Sequence, residues 1–227
     1  MKINVIATGS AGNLYEILDS KGNSVLFETG IPFKEYLKFR EGKSFPEFVA
    51  VTHEHGDHYK YFDEYCNAIN NVFIHELKFE TDNFKLHAIP VLHGECPCDA
   101  FILKSLVDNE VLFFATDFQY DEYDTIHEVI RMLKIERFLI ECSYNDYLYH
   151  LANPEQRLGL DRHFSDNDLI RFIKKSGARL PKIITIHGSN RLSSDTYTKK
   201  YLKSKLPNAI IGVSVGATKE SKNIFII

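Results

Sequence analysis

His53-Glu54-His55-Gly56-Asp57-His58 brings three imidazole side chains and the Asp57 carboxylate together within six residues. The stretch follows the apolar run Phe48-Val49-Ala50-Val51, which predicts a buried strand that ends in a loop. Imidazole and carboxylate groups are the ligands that cations such as Zn²⁺ and Mn²⁺ take. Packing does not explain four of them on one turn. A metal site is therefore favoured over a polar surface turn that happens to be rich in histidine.

Three more candidate ligands stand just past predicted strands. His93 follows the apolar residues 91–92, Asp117 follows the run 111–115, and His187 follows the run 183–186. Ligands of α/β proteins bind in the crevice beyond the carboxyl ends of the strands. The combined set of five histidines and two aspartates is the number expected for two metal ions that share a bridging carboxylate. Structural or surface roles are assigned to Cys96-Pro97-Cys98 and to the histidines outside this context: His75, His87, His127 and His150.

Length and composition are those of an ordinary globular protein, and residues 1–227 are predicted to form a single domain. The net charge of −4 argues against a protein held on nucleic acid by bulk charge, although local basic faces remain open. The N-terminus lacks the apolar core of a secretory leader, and no run is long enough to cross a membrane. Four irregularly spaced cysteines do not make a disulfide framework, so we expect a reducing, cytoplasmic setting.

Hydrophobic patterning predicts a mixture of strands and helices, which implies sheets covered by helices. Strands are predicted at 3–7, 14–18, 24–28, 48–51, 72–75, 86–92, 101–104, 111–115, 138–140, 183–186, 209–215 and 223–227. Helices are predicted at 33–39, 59–68, 125–133, 169–175 and 196–202. Ser165 is a predicted N-cap with Asp168 as its capping-box acid.

The series His53-x-His55-x-Asp57-His58, His93, Asp117 and His187 resembles the metallo-β-lactamase fold superfamily over nearly the whole chain. The resemblance implies an α/β, four-layer αββα sandwich, in which two mixed β-sheets pack face to face with helices on the outer faces. It also implies two divalent ions, with Zn²⁺ or Mn²⁺ best suited to nitrogen and oxygen ligands and Fe as a further option. By this resemblance His53, His55 and His93 hold the first ion, Asp57, His58 and His187 hold the second, and Asp117 bridges them.

Other stretches resemble the phosphodiesterase branches of the superfamily. His163 stands where these branches have an additional histidine, and residues 161–167 are similar to the Gly-His-Leu-Ser-Asn element of the short YycJ-like exonucleases. Gly9-Ser10-Ala11-Gly12-Asn13 resembles the Gly-Ser-Ser-Gly-Asn loop of that branch. The expected lack of a leader speaks against a secreted β-lactamase. The short segment after His187 speaks against the appended helical domain of glyoxalase-II-type thioesterases.

The sequence departs from this pattern at three positions. Arg162 and Phe164 replace the glycine and leucine that flank the histidine in the exonuclease element. Glu28, in Glu28-Thr29-Gly30, stands where the superfamily has the aspartate of Asp-x-Gly. That acid orients a metal-binding imidazole, so the longer side chain is expected to alter the geometry of the site without removing it.

The resemblance implies hydrolysis of phosphodiesters by a metal-activated water. Asp57 is expected to orient the attacking hydroxide while it serves as a ligand. His163 would contact the phosphate and protonate the leaving oxygen, and Glu141 would hold His163 in position. An ordinary surface histidine and an ordinary strand-end acid are the alternatives for these last two residues.

The favoured hypothesis for the substrate is DNA or RNA, which makes the protein a nuclease. Seven basic residues are expected on helix faces that could track a strand, although a solvated face is the commoner explanation: Arg171, Lys174, Lys175, Lys199, Lys200, Lys203 and Lys205. A phosphodiesterase for a small cyclic nucleotide is the first alternative. A thioester hydrolase and a non-catalytic nucleotide-binding module are weaker ones. No membrane partner is expected, and the oligomeric state is left open, with a homodimer as one option.

Overall fold

In a computed structural model of the chain, residues 1–120, 123–189, 191–214 and 223–227 are described. The strands are β1 (Lys2–Ala7), β2 (Leu14–Leu18), β3 (Ser24–Phe27), β4 (Val49–Val51), β5 (Val72–Ile74), β6 (Lys78–Glu80), β7 (Phe84–Val91), β8 (Cys98–Ser105), β9 (Glu110–Ala115), β10 (Arg137–Glu141), β11 (Lys182–Ile186), β12 (Ile210–Val213) and β13 (Asn223–Ile226). The helices are α1 (Phe33–Phe39), α2 (Gly56–Tyr59), α3 (Phe62–Cys66), α4 (Asp124–Leu133), α5 (Pro154–Leu160), α6 (Asp166–Ser176) and α7 (Asp195–Lys205), with a 3₁₀ helix at Asp146–Leu151.

The strands form two mixed sheets. The first has the order β13-β1-β2-β3-β4-β5, with antiparallel pairs up to β3 and parallel pairs from β3 to β5. The second has the order β12-β11-β10-β9-β8-β7-β6, with parallel pairs from β12 to β9 and antiparallel pairs from β9 to β6. The predicted α/β class with two mixed sheets is confirmed.

Three hydrophobic clusters separate four layers. One lies between the sheets and includes Tyr15 and Phe27 from the first sheet and Phe114 from the second. Another covers the outer face of the second sheet, where Phe172 of α6 packs against Phe113. A third cluster covers the outer face of the first sheet with side chains from α1 and α3. Helices therefore lie outside both sheets, as the predicted αββα sandwich requires.

The direction of the strands explains why the candidate ligands meet. Strands β9, β10 and β11 are parallel neighbours, so their carboxyl ends lie at one edge of the second sheet. Strand β7 runs the same way, because it is separated from β9 by the antiparallel strand β8. Each of these strands ends in or just before an ionisable side chain, and β4 of the first sheet leads into the His53 turn.

Some predicted elements differ from the structure. The helix predicted at 59–68 is divided into α2 and α3, because Tyr61 between them leaves the helical conformation with ψ at 21°. Strand β6, the 3₁₀ helix and α5 were not predicted, since short elements carry little periodicity. The capping box of Ser165 and Asp168 is confirmed, and α6 begins three residues before the predicted start at 169. Residue 215, predicted to end a strand, lies outside the described residues. No described helix is long and apolar enough to span a bilayer.

Candidate metal centre

Sharp turns at the strand ends aim the candidate ligands into one space. Asp117 and His187 have left-handed backbone conformations, with φ of 53° and 55°. Non-glycine residues seldom adopt this conformation, although aspartate and histidine tolerate it better than most. These residues lie just past β9 and β11, and their side chains approach each other to 3.3 Å between Nδ1 of His187 and Oδ1 of Asp117. Backbone strain of this kind is concentrated at functional sites.

A first group of possible ligands consists of His53, His55, His93 and Asp117. Nδ1 of His55 lies 3.1 Å from Nε2 of His53 and 3.2 Å from Nε2 of His93. Oδ2 of Asp117 lies 3.7 Å from Nε2 of His53 and 3.8 Å from Nε2 of His93. Four donor atoms from three strand ends thus surround one point.

A second group consists of Asp57, His58, Asp117 and His187. Oδ2 of Asp57 lies 3.3 Å from Nε2 of His58 and 3.2 Å from Nε2 of His187. Oδ2 of Asp117 lies 3.4 Å from Nε2 of His58. The same carboxylate oxygen therefore faces nitrogen atoms of both groups, which is the arrangement expected of a bridging ligand.

The spacing of these atoms fits metal coordination. Ligand atoms about 2.0–2.1 Å from a tetrahedral Zn²⁺ lie roughly 3.3–3.4 Å apart. The contacts of Asp117 with the imidazoles, at 3.3–3.8 Å, are too long for good N–H···O hydrogen bonds. At such distances, the five imidazoles and two carboxylates would make only poor hydrogen bonds with one another. The donor set suits divalent cations with nitrogen and oxygen preference.

Residues behind the imidazoles orient them. The Thr52 hydroxyl lies 2.9 Å from Nδ1 of His53 and donates to Oε1 of Glu28 at 2.7 Å. The same Glu28 oxygen lies 3.4 Å from Nδ1 of His58. Nδ1 of His93 lies 3.3 Å from the carbonyl oxygen of Arg162. Glu28 thus stands behind residues of both groups. Its backbone has a φ of 71°, and its side chain, one methylene longer than that of aspartate, still places the carboxylate beside His58.

Two loops near the N-terminus clamp the turn that carries Asp57 and His58. The backbone N–H of Asn13 donates to the Asp57 carbonyl at 2.8 Å, and the N–H of Thr29 donates to the His58 carbonyl at 2.7 Å. Only glycine fits at position 30, because a Cβ atom there would lie 1.8 Å from the Asp57 carbonyl oxygen. The Gly9–Asn13 and Glu28–Gly30 motifs therefore shape the metal-facing turn.

Asn13 is a site residue to which the sequence assigned no role. Its Nδ2 atom lies 3.0 Å from Nε2 of His58 and 3.3 Å from Oδ2 of Asp57. Its Oδ1 atom accepts hydrogen bonds from the Gly9 N–H and the Tyr15 hydroxyl, which fix the amide in this orientation. The Gly-Ser-Ala-Gly-Asn motif was the available clue, but only the fold brings it beside the Asp57 turn.

His163 and Glu141 form a pair at the border of the cluster. Nδ1 of His163 lies 2.6 Å from Oε1 of Glu141, and Oε2 of Glu141 accepts the backbone N–H of Phe118 at 3.2 Å and of Phe164 at 3.3 Å. A third possible ligand group contains both residues with Asp117 and His187. However, 2.6 Å is the length of a charge-assisted hydrogen bond and is too short for two ligands of one tetrahedral ion.

Charge at the site favours cations. Burial lowers the pKa of His53, and the charge of His58 adds to this effect, so that the pKa is about 2. Burial alone would raise the pKa of Asp117, but His187 and His58 hold it well below its usual value. Burial alone would lower the pKa of His187, but Asp117 and Asp57 raise it to about 10. The carboxylates therefore remain ionised and attract positive charge into a buried site.

Glu141 affects His163 in the same way. Burial alone would lower the pKa of His163, but the charge of Glu141 and its hydrogen bond raise it. Burial alone would raise the pKa of Glu141, and His163 lowers it. Each partner therefore favours the charged form of the other, and Nδ1 of His163 is occupied by Glu141.

A cleft of about 410 Å³ opens beside the cluster. His163 and His187 line its inner end, and Arg191 and Gln156 supply further polar groups. A cavity of this size accommodates a small organic ligand.

For the other histidines and the cysteines, structural or surface roles remain a prediction in the part of the chain that the structure describes. No metal-ligand group there includes His75, His87, His127 or His150. Nδ1 of His75 lies 2.7 Å from Oδ2 of Asp99, and all four cysteines are free thiols. Cys98 is buried, with Sγ 3.8 Å from Nδ1 of His53, and so packs behind the cluster.

Comparison with known proteins identifies the fold. No family model and no curated protein sequence matches the chain. The metallo-β-lactamase fold protein YhfI from Bacillus subtilis matches with a TM-score of 0.71 and 13% identity over 99% of each chain. Human tRNase Z, short form, matches with a TM-score of 0.67 and 12% identity over 100% of this chain and 99% of its own. A diphosphatase of the PhnP family matches with a TM-score of 0.64 and 15% identity over 100% and 97%. The chain therefore has the metallo-β-lactamase fold.

Proposed function

We propose that the protein is a metal-dependent hydrolase of phosphodiester bonds and that its substrate is DNA or RNA. The observation that carries the proposal is the His163–Glu141 pair, a histidine hydrogen-bonded to a buried carboxylate at the edge of a His/Asp metal-binding cluster, where Glu141 raises the pKa of His163 and so favours its charged form. Solved structures with the same fold include a tRNase Z and a diphosphatase, both named for reactions at phosphate. The proposal includes the reducing, cytoplasmic setting, which the four free cysteines favour.

Seven side chains are assigned to two divalent ions, Zn²⁺ or Mn²⁺. The first ion is assigned to His53, His55 and His93, and the second to Asp57, His58 and His187. Asp117 is assigned to both, because its Oδ2 atom lies 3.4–3.8 Å from nitrogen atoms of the two groups. When bound, the ions supply a water of lowered pKa and neutralise charge on the phosphate oxygens.

The remaining side chains position the substrate and move protons. Oδ2 of Asp57 faces the space between His58 and His187, where it can accept a hydrogen bond from the attacking water. His163 binds a phosphate oxygen through its charge and donates its Nε2 proton to the leaving oxygen. Glu141 keeps that charge in place, since its second oxygen is anchored by two backbone N–H groups. Proton donation to the leaving group contributes about 10²–10⁴-fold to such reactions.

The test is a substrate panel on protein of measured metal content. The panel contains single-stranded and duplex oligonucleotides, 2′,3′- and 3′,5′-cyclic nucleotides, bis(p-nitrophenyl) phosphate and a thioester. We expect hydrolysis of oligonucleotides and of bis(p-nitrophenyl) phosphate, abolished by chelation and restored by Zn²⁺ or Mn²⁺. Asp117→Asn removes the charge of the shared ligand and should abolish turnover together with metal binding.

Other outcomes would favour the alternatives. Hydrolysis confined to cyclic nucleotides would replace the nucleic acid substrate by a small one. Thioester cleavage without phosphodiester cleavage would refute the proposed chemistry. Tight nucleotide binding without turnover, by protein loaded with two metal ions, would identify a binding module.

A further inference from the structure

Three tyrosines form a column on the surface beside the cleft. Tyr147 belongs to the 3₁₀ helix, and Tyr197 and Tyr201 belong to α7. The ring centroids of Tyr147 and Tyr197 are 4.3 Å apart with the planes tilted by 51°, and those of Tyr197 and Tyr201 are 5.4 Å apart with the planes stacked at 16°. Tyr147 is 47% exposed, so the outer end of the column is open to solvent. Tyrosine is enriched at interfaces because its ring is apolar and its hydroxyl group is polar.

Hydrogen bonds hold the inner ring of the column and the two segments that carry it. The Tyr201 hydroxyl donates to Oδ1 of Asn167 at 2.8 Å, which fixes the inner ring against α6. The Asn145 amide nitrogen donates to the Thr198 hydroxyl at 2.8 Å and so ties the start of the 3₁₀ helix to α7. A ring held in this way loses little conformational entropy when a second ring stacks on it.

The same asparagine connects the column to the cleft. The backbone N–H of Asn145 donates to the carbonyl of Leu192, a residue of the cleft wall, and Oδ1 of Asn145 accepts the N–H of Ser194. Tyr147 is two residues after Asn145, and α7 begins directly after Ser194. The column therefore adjoins the part of the cleft wall that contains Leu192.

Positive charge accompanies the rings. Lys205 places Nζ 5.5 Å from the centre of the Tyr201 ring, and exposed Lys200 is three residues after Tyr197 on the same side of α7. Burial and the neighbouring Asp166 and Asp146 raise the pKa of the Tyr197 hydroxyl, so the side of the column that faces these two carboxylates is acidic and the positive charge lies on the lysine side. We accordingly assign the backbone phosphates of a nucleic acid strand to the lysine side of α7 and its bases to the tyrosine rings.

We infer that this column is a stacking platform for single-stranded nucleic acid whose scissile phosphate lies at the candidate metal centre. The inference rests on the proposed function and specifies its substrate as a polymer with unpaired bases next to the scissile bond. Aromatic rings beside cationic side chains bind single strands because every base offers a π-face, whereas stacked bases of a duplex do not.

The test measures binding of labelled single-stranded phosphorothioate oligonucleotides, DNA and RNA, to the metal-loaded protein by fluorescence anisotropy. Tyr147→Ala should raise the Kd by roughly 5- to 150-fold, the effect of removing one base–aromatic stack, and Tyr147→Phe should restore it. The double variant Lys200→Gln/Lys205→Gln should flatten the salt dependence of log Kd by about 0.7 for each phosphate that the protein no longer neutralises. Wild-type protein should bind duplex DNA more weakly than single strands.

Phe45→Ala is the matched control. Phe45 is also a half-exposed ring, stacked on Phe33 and covered by Arg40, but it lies on the α1 side of the molecule. The Phe45→Ala substitution should leave the Kd for the oligonucleotide unchanged. Equal Kd values for wild type and Tyr147→Ala, or equal affinity for duplex and single strands, would overturn the inference.

A failure of the proposed function can be distinguished from a failure of the inference about the tyrosine column. Absence of bis(p-nitrophenyl) phosphate hydrolysis by metal-loaded wild type refutes the proposed function, because that small substrate does not need the column. If hydrolysis is present, the decrease in kcat/KM of Tyr147→Ala on oligonucleotides should exceed the decrease on the small substrate by roughly 5- to 150-fold. Equal decreases on both substrates would assign Tyr147 a purely structural role.

Discussion

Removing the imidazole of His163 should affect turnover in a way that depends on the leaving group. A nucleoside alkoxide leaves only with a proton, whereas p-nitrophenolate is a stable anion. If His163 supplies that proton, His163→Asn should lower kcat on a dinucleotide by about 10²–10⁴-fold, equivalent to about 3–5 kcal/mol of transition-state stabilisation. On a nucleoside p-nitrophenyl phosphate the decrease should be only several-fold, because there the substitution removes only the interaction with phosphate.

The choice of asparagine follows from the environment of Glu141. This carboxylate is fully buried, and its closest partner is Nδ1 of His163 at 2.6 Å. Alanine would leave Oε1 of this buried carboxylate with only the contact to His187 at 3.3 Å, because the backbone N–H groups of Phe118 and Phe164 bind the other oxygen; the expected cost is several kcal/mol of folding stability. An asparagine amide can keep a donor near Nδ1, so a loss of activity then reports the missing proton donor rather than a disturbed fold.

The assay pairs steady-state kinetics on the two substrates with metal analysis and a thermal unfolding midpoint for each preparation. Metal content should stay at the wild-type level, because the contact of His163 with Glu141 is a hydrogen bond. Equal decreases on both leaving groups would refute proton donation by His163. A fall in metal content in step with activity would instead make His163 a ligand.

Three further predictions concern the parts that support the site and the fold. Glu28→Gln should weaken metal binding by about 10–100-fold in competition with a chromophoric chelator, because it removes the charge behind His58; the equally buried Glu16→Gln should not. Gly30→Ala should abolish metal binding, since its Cβ would lie 1.8 Å from a backbone oxygen, whereas Gly56→Ala, which meets nothing within 4 Å, should retain it. Burial lowers the pKa of His127, so the unfolded chain takes up a proton below about pH 6.5 before the folded chain does, and stability should fall as the pH falls. Urea titrations should show His127→Leu losing less stability than wild type between pH 7 and 5, by at most about 1.4 kcal/mol per pH unit; parallel losses would show that His127 does not contribute.

Much of the candidate site was predictable because its residues follow apolar strands directly. The His53 turn, His93, Asp117 and His187 each come just after a strand, and parallel strands in an α/β sheet bring their carboxyl ends to one edge. The capping box at Ser165 was predictable for the same local reason. The short 3₁₀ helix and α5 were not, although Asn153, Pro154 and Gln156 carry a recognisable cap.

The sequence by itself determined the ligand types, their attachment to strand ends and the class of fold, because strand periodicity and the chemistry of imidazole and carboxylate are local properties. The family resemblance already implied a bridging Asp117 and a contact between Glu141 and His163. Only the tertiary structure gave the distances within these groups and showed that Asn13 reaches His58 across 45 residues. These contacts depend on the lateral order of strands and on loop packing, neither of which a local pattern records. The tyrosine column illustrates the same limit: its rings come from two segments about 50 residues apart, joined through Asn145.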